Sequence, residues 1–166
     1  MENSTVAVRM ESAVGGIPYR VDDQDMRPWG HYIVTAVGTC DEGEYCEKII
    51  VVKPGKILSL QSHELRAEQW TVKSGTLTAI VDDMRITAEA GEVVLVPAGS
   101  IHCMANLSNE DCVVEERQTG TCREEDIQRY ADAYNRATEG ANPGLGGAIS
   151  IYKSVLSDLR HAKQAV

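Results

Sequence analysis

Four side chains in two short stretches carry the chemistry that this sequence offers. Gln61, His63 and Glu68 lie between Gly55 and Gly75, and His102 lies between Gly91 and Asn106. Two imidazoles, one carboxylate and one amide oxygen form a donor set for one divalent transition metal: Zn, Mn, Fe, Co or Ni. A carboxylate inside a small barrel also needs a cation beside it. Arg66 stands two residues before Glu68, so a strand there puts both on one face. A guanidinium keeps its proton, so Arg66 would act electrostatically, holding ligand oxygens. Glu64 and Glu116 are the two carboxylates open to the role of general acid or base. Glu116 shares a strand face with Gln118.

These residues need strands to position them. Side chains alternate across a strand, so Gln61 and His63 face the same way. Gly75 supplies a turn, Val93 to Val96 read as a strand, and Pro97 with Gly99 break it into a tight turn before His102. Further strands are expected at 30–37, 44–52, 56–63, 69–73, 77–81, 85–88, 102–106 and 112–118. Many short strands at close spacing imply a sandwich or a barrel. Ile127, Tyr130, Ala131 and Tyr134 recur at helical spacing, which predicts a helix over 123–136. Ile149, Tyr152, Leu156 and Leu159 line one face of a second predicted helix near the C-terminus.

Both stretches resemble the two motifs of the cupin superfamily. Gly55, Gln61, His63, Glu68 and Gly75 fall at the offsets of the first motif, and Gly91, Pro97, Gly99, His102 and Asn106 at those of the second. Gln61 replaces the usual first histidine, as is typical of the phosphomannose isomerase branch. Arg-Pro-Trp-Gly at 27–30 with Tyr32, Val-Lys-Pro-Gly at 52–55, Leu-Ser-Leu-Gln at 58–61 and Glu-Asp-Ile at 125–127 with Arg129 are similar to type II phosphomannose isomerases. Leu65 and Gln69 stand where relatives usually carry further histidines.

The resemblance implies an all-β fold, a cupin-type double-stranded β-helix (a jelly-roll barrel) with C-terminal helices. It covers a cupin domain over 27–136; the residues before it read as an arm over 1–26, and those after it as a linker with an amphipathic helix over 137–166. It implies a metal-dependent aldose–ketose isomerase that converts mannose 6-phosphate to fructose 6-phosphate through a cis-enediol. Two alternatives are a non-haem Fe(II) dioxygenase, for which two histidines and a carboxylate form a facial triad, and a non-catalytic sugar-binding cupin. Relatives often carry a sugar-1-phosphate guanylyltransferase ahead of this module. The 26 residues before Arg27 are too few for one.

Composition bounds the remaining choices. The chain has 166 residues, 43% hydrophobic and 25% charged, which suits one globular domain. A net charge of −9 argues against nucleic acid or an anionic membrane surface as partner. A small-molecule sugar or sugar phosphate remains the expected partner. No apolar run approaches the length of a membrane span. Five cysteines without a CxxC spacing fit free thiols in the cytoplasm, with Cys103 packing away from His102. Barrel edges and the apolar stripe of the last helix predict a homodimer. His31 and His161 are expected at the surface, and Arg129 and Arg136 in ion pairs on a helix face.

Overall fold

The computed structural model describes residues 17–134 and 146–164. Twelve strands and one helix follow in chain order: β1 (Gln24–Arg27), β2 (Gly30–Cys40), β3 (Gly43–Val52), β4 (Lys56–Ile57), β5 (Leu60–Ser62), β6 (Arg66–Ser74), β7 (Thr76–Val81), β8 (Met84–Glu89), β9 (Val93–Val96), β10 (His102–Asn106), β11 (Cys112–Gly120), β12 (Gln128–Ala131) and α1 (Gly146–Gln164). One antiparallel sheet runs β1-β2-β3-β11-β6-β9. The other runs β12-β5-β10-β7-β8, with β4 also paired to β10. This is the expected jelly-roll barrel.

Alternation builds the interior. Cys46, Lys48, Ile50 and Val52 of β3 are buried in turn, and the residues between them are less so. Trp29, Ile50, Trp70, Val72, Met104 and Val114 belong to the main core between the sheets. Strand β10 breaks the alternation, because all five of its residues are buried. The reason is a second core on its other side, where Cys103 and Ala105 meet Ala148, Tyr152, Val155 and Leu159 of α1. The terminal helix therefore packs on its own barrel, and an Arg85–Asp158 ion pair at 2.8 Å also ties it to β8. Val155, fully buried, completes the stripe read as Ile149, Tyr152, Leu156 and Leu159.

The helix expected over 123–136 does not form in its described part, 123–134. Gln128–Ala131 instead pair antiparallel with β5, setting Arg129 opposite Gln61 and Gln128 opposite Ser62. The exposed edge of β5 offers hydrogen bonds that a local helix would forgo, and the Tyr130 hydroxyl meets Ser62 Oγ at 2.8 Å. Tertiary pairing overrides the local period. Arg136 and the weak strand pattern near the N-terminus lie outside the described residues. The strand read over 56–63 is divided into β4 and β5, and β1 begins inside the stretch assigned to the arm.

One glycine sets how the barrel closes beside the site. Gly120 has φ of 129°, and a Cβ there would run into the carbonyl oxygen of Leu65. Only glycine lets the end of β11 lie this close to the start of β6.

Candidate metal centre

His63 follows the last residue of β5, and its placement is fixed from two directions. Its carbonyl accepts the Gly99 N–H at 2.7 Å. Its Nδ1–H donates to the carbonyl of Asp126. The Asp126 carboxylate in turn accepts the N–H groups of Glu64 and Leu65 at 3.0 and 2.9 Å, holding the turn between β5 and β6. His102 opens β10 opposite Gln61 of β5 and Val81 of β7. Its Nδ1–H donates to the Ser100 carbonyl at 2.9 Å. A carbonyl can only accept, so each Nδ1 carries its proton and each Nε2 is turned inward.

Glu68 lies where the two rings point. Its Oε1 is 3.3 Å from His63 Nε2, and its Oε2 is 3.6 Å from His102 Nε2. The ligand atoms of the three residues lie within 4.8 Å of one another, and all three side chains are buried. His102 Nε2 has no hydrogen-bond partner. Burial holds the His102 ring below its ordinary pKa, so this nitrogen keeps its lone pair. Burial alone would raise the Glu68 carboxyl, but His102, His63 and Arg66 outweigh it and hold it well below the usual carboxylate range. An orphaned imidazole lone pair facing an ionised carboxylate fits a divalent cation.

Around this cluster the donors are arranged in detail. Trp70 Nε1–H donates to Glu68 Oε2 at 3.0 Å. Arg66 donates from Nε to Glu68 Oε1 at 3.4 Å, from Nη1 to the Arg123 carbonyl at 2.9 Å, and from Nη2 to His63 Nε2 at 3.0 Å. Arg66 is therefore on the expected face, but its guanidinium braces the cluster. Gln61 also reaches the cluster, with Nε2 at 3.3 Å from His63 Nε2. Its oxygen accepts the Ser59 hydroxyl at 2.6 Å.

Glu116 lies on β11 between Lys48 of β3 and Trp70 of β6. It is buried, and Gln118 Nε2–H donates to it at 2.7 Å. Burial, reinforced by the charge of Glu68, pushes its carboxyl up to about 7. Glu116, Gln118, Arg66, Glu68 and Gln61 line one cavity that opens beside the cluster. Glu64 does not join them: its side chain is exposed, because the turn that positions His63 points it outward. A hollow of about 240 Å³ between β4 and α1 contains none of these groups.

Sequence reasoning missed Lys48 and Tyr19, which line the same cavity, and the carbonyl of Asp126. Lys48 left a signal, a charged residue at a buried position of an alternating strand. The Asp126 carbonyl left none, because every residue has one. Arg129 lines the cavity from β12, not from a helix face. Cys103 packs against the α1 side, as expected, and all five cysteines are free. Among the described residues no helix is long and apolar enough to cross a membrane.

The sequence profile described as "Mannose-6-phosphate isomerase C-terminal" matches residues 18–132. The alginate biosynthesis protein AlgA of Pseudomonas aeruginosa is 37% identical over 123 residues, which cover 74% of this chain and 25% of that protein. The mannose-1-phosphate guanylyltransferase of Escherichia coli is 36% identical over 132 residues, 78% of this chain and 26% of that protein. The chain thus spans about a quarter of the length of these relatives. Among solved structures, the capsular polysaccharide assembling protein CapF of Staphylococcus aureus superposes with a TM-score of 0.55 at 18% identity, over 63% of this chain and 32% of that one. A Klebsiella pneumoniae protein with a double-stranded β-helix domain gives 0.52 at 15%, over 60% and 83%. Both support the fold.

These relatives overturn one expectation. The sequence pointed to a mannose-6-phosphate isomerase, but similar curated proteins are named mannose-1-phosphate guanylyltransferase, a transferase. The likeness to the isomerase is confined to the domain matched over 18–132.

Proposed function

Because the chain belongs to the mannose-6-phosphate isomerase C-terminal family of cupins, we propose that its barrel holds one divalent metal on His63, Glu68 and His102 and binds a phosphorylated sugar beside it. The observation that carries this reading is the pair of inward imidazole nitrogens meeting at one buried carboxylate, with the His102 nitrogen unpartnered. A bound metal supplies a Lewis acid that polarises a ligand oxygen.

This chain's own residues do the rest. The Asp126 and Ser100 carbonyls orient the rings, and Trp70 and Arg66 hold the two oxygens of Glu68. Gln118 Oε1 is buried without a donor and lies beside Glu116 in the cavity. It is placed to accept a sugar hydroxyl. The guanylyltransferase name of the relatives favours a mannose phosphate as ligand. In this reading the barrel unit includes Tyr19, and α1 forms its outer support. A cytoplasmic homodimer belongs to the same reading, supported by the free thiols and by Val93 and Leu95 exposed on the edge strand β9.

The test is calorimetric titration of metal-loaded and chelator-treated protein with mannose 1-phosphate, mannose 6-phosphate and mannose. Metal-dependent binding of a sugar phosphate is expected. Metal-loaded protein that binds neither phosphate would reject the reading.

A further inference from the structure

Strand β3 places a lysine where a core residue belongs. Lys48 is 6% exposed and alternates inward with Cys46, Ile50 and Val52. An aliphatic residue would fill that position without desolvating a charge, and burying an ammonium costs several kcal/mol unless it is compensated. Two aromatic faces compensate part of this: Nζ lies 3.8 Å from the centroid of Tyr19 and 4.5 Å from that of Tyr32. Aromatic faces hold a cation but supply no oxygen. An ammonium has three N–H donors, and among the described residues Lys48 makes no hydrogen bond or salt bridge. Glu116, opposite on β11, adds a second partial compensation through its charge, but the N–H donors stay unfilled, and a position that breaks the pattern of its strand in this way marks a functional site.

The surroundings say what would complete it. Lys48 lines the same cavity as Glu68, Arg66 and Gln118. Register sets it opposite Glu116, which is opposite Trp70, so it stands two strands from the row that holds Glu68. Two strand spacings are about 10 Å, the scale of one phosphorylated hexose. At the metal end Gln118 Oε1 is an acceptor without a donor, His102 Nε2 being given to the metal; at the far end the unfilled groups are donors on a cation. This polarity matches a ligand with hydroxyls at one end and an oxyanion at the other.

We propose that Lys48, held between Tyr19 and Tyr32, is the oxyanion subsite of this barrel and takes the phosphoryl group of the ligand. The assignment rests on the metal-and-sugar-phosphate reading above. It gives the phosphate to Lys48 and leaves Arg66, three of whose five N–H donors already go to Glu68, the Arg123 carbonyl and His63, to hold Glu68 and His63. Lysine serves here as a point charge with rotatable donors.

The experiment compares wild type, Lys48→Met and Lys48→Arg, all metal-loaded. Titrants are mannose 6-phosphate, mannose 1-phosphate, mannose and inorganic phosphate; metal content and melting temperature are measured alongside. Lys48→Met should weaken the phosphate ligands about 10- to 100-fold, leave mannose and metal content unchanged, and keep its fold. Lys48→Arg should recover most of the phosphate binding. Unchanged sugar-phosphate binding in Lys48→Met overturns the subsite and leaves the proposed function standing. Loss of mannose and phosphate together, without recovery by Lys48→Arg, marks the residue as structural and overturns it too. Inorganic phosphate bound through Lys48 with no sugar phosphate bound supports the subsite and rejects the proposed function. Wild type that binds no phosphate species rejects both.

Discussion

His63 and His102 turn the same ring nitrogen toward Glu68, and each does so because its other nitrogen is tied to a main-chain carbonyl, Asp126 for one and Ser100 for the other. The donor set is therefore organised by backbone, and a metal on His63 Nε2 would take the lone pair that now accepts from Arg66 Nη2. Purified protein should carry about one divalent metal per chain. His63→Ala and His102→Ala should lose it and stay folded, since Trp29, Ile50, Val72, Val114 and the other apolar side chains of the main core are untouched. Elemental analysis showing equal metal in wild type and both variants would reject the site.

Asp126 reaches the cluster through the turn that it holds. Asp126→Ala removes the acceptor of the Glu64 and Leu65 N–H groups. The expected outcome is a stability loss of about 1 kcal/mol and metal affinity lowered about 10-fold or more. Competition with a chromogenic chelator measures the second. Unchanged affinity would mean that the ring is held by the chain on either side alone.

Arg66 should matter for folding. Its guanidinium is buried, and Glu68 raises its pKa further although burial opposes this. Arg66→Ala leaves Glu68 short of a partner and should destabilise chelator-treated protein by about 3–5 kcal/mol. A bound cation supplies the missing positive charge, so the loss should shrink with metal present. Thermal melts with and without metal check this, and equal losses in both would refute the bracing role.

Glu116 gives the stability a pH dependence with a definite sign. Burial and the Glu68 charge raise its carboxyl from 4.5 to about 7. The folded protein keeps a proton that the unfolded chain releases, so this contribution is fully present below about 4.5 and is lost as pH rises to 7. Glu116→Gln should match wild type near the acid end and exceed it by up to about 3 kcal/mol above pH 7. Metal should reduce the difference by lowering the carboxyl. Parallel melting curves for the two proteins across this range would contradict it.

Much of the site was legible because metal ligands are few in kind and their offsets are rigid. His63, Glu68 and His102 come together as the spacing implied, and Arg66 lies on the face that a strand predicts. Two kinds of information were not there to read. Ile127, Tyr130, Ala131 and Tyr134 satisfy a helical period, yet β12 forms because the β5 edge is a distant partner that no local window contains. The Gln61 amide has the right position, and the Ser59 hydroxyl that donates to its oxygen from two residues away left no sequence signal. Glu64 is adjacent to His63 in sequence and faces solvent, because the turn reverses direction there.

Dimerisation offers a separate check. Leu95 is 65% exposed on β9, the edge of its sheet. Light scattering at micromolar concentration should give a dimer, and Leu95→Lys should shift it toward monomer. A wild-type monomer would exclude the edge as an interface.

Strand β10 is one backbone thick, with His102 and Met104 on the barrel side and Cys103 and Ala105 against α1. The His102 cluster and the helix seat are thus opposite sides of a common wall. A substitution at Tyr152 or Val155 that repacks the seat shifts that wall, and His102 moves with it although no ligand has changed. Coordination bonds are short, so small displacements register in affinity. A metal held on His102 would therefore respond to repacking of a helix remote in sequence.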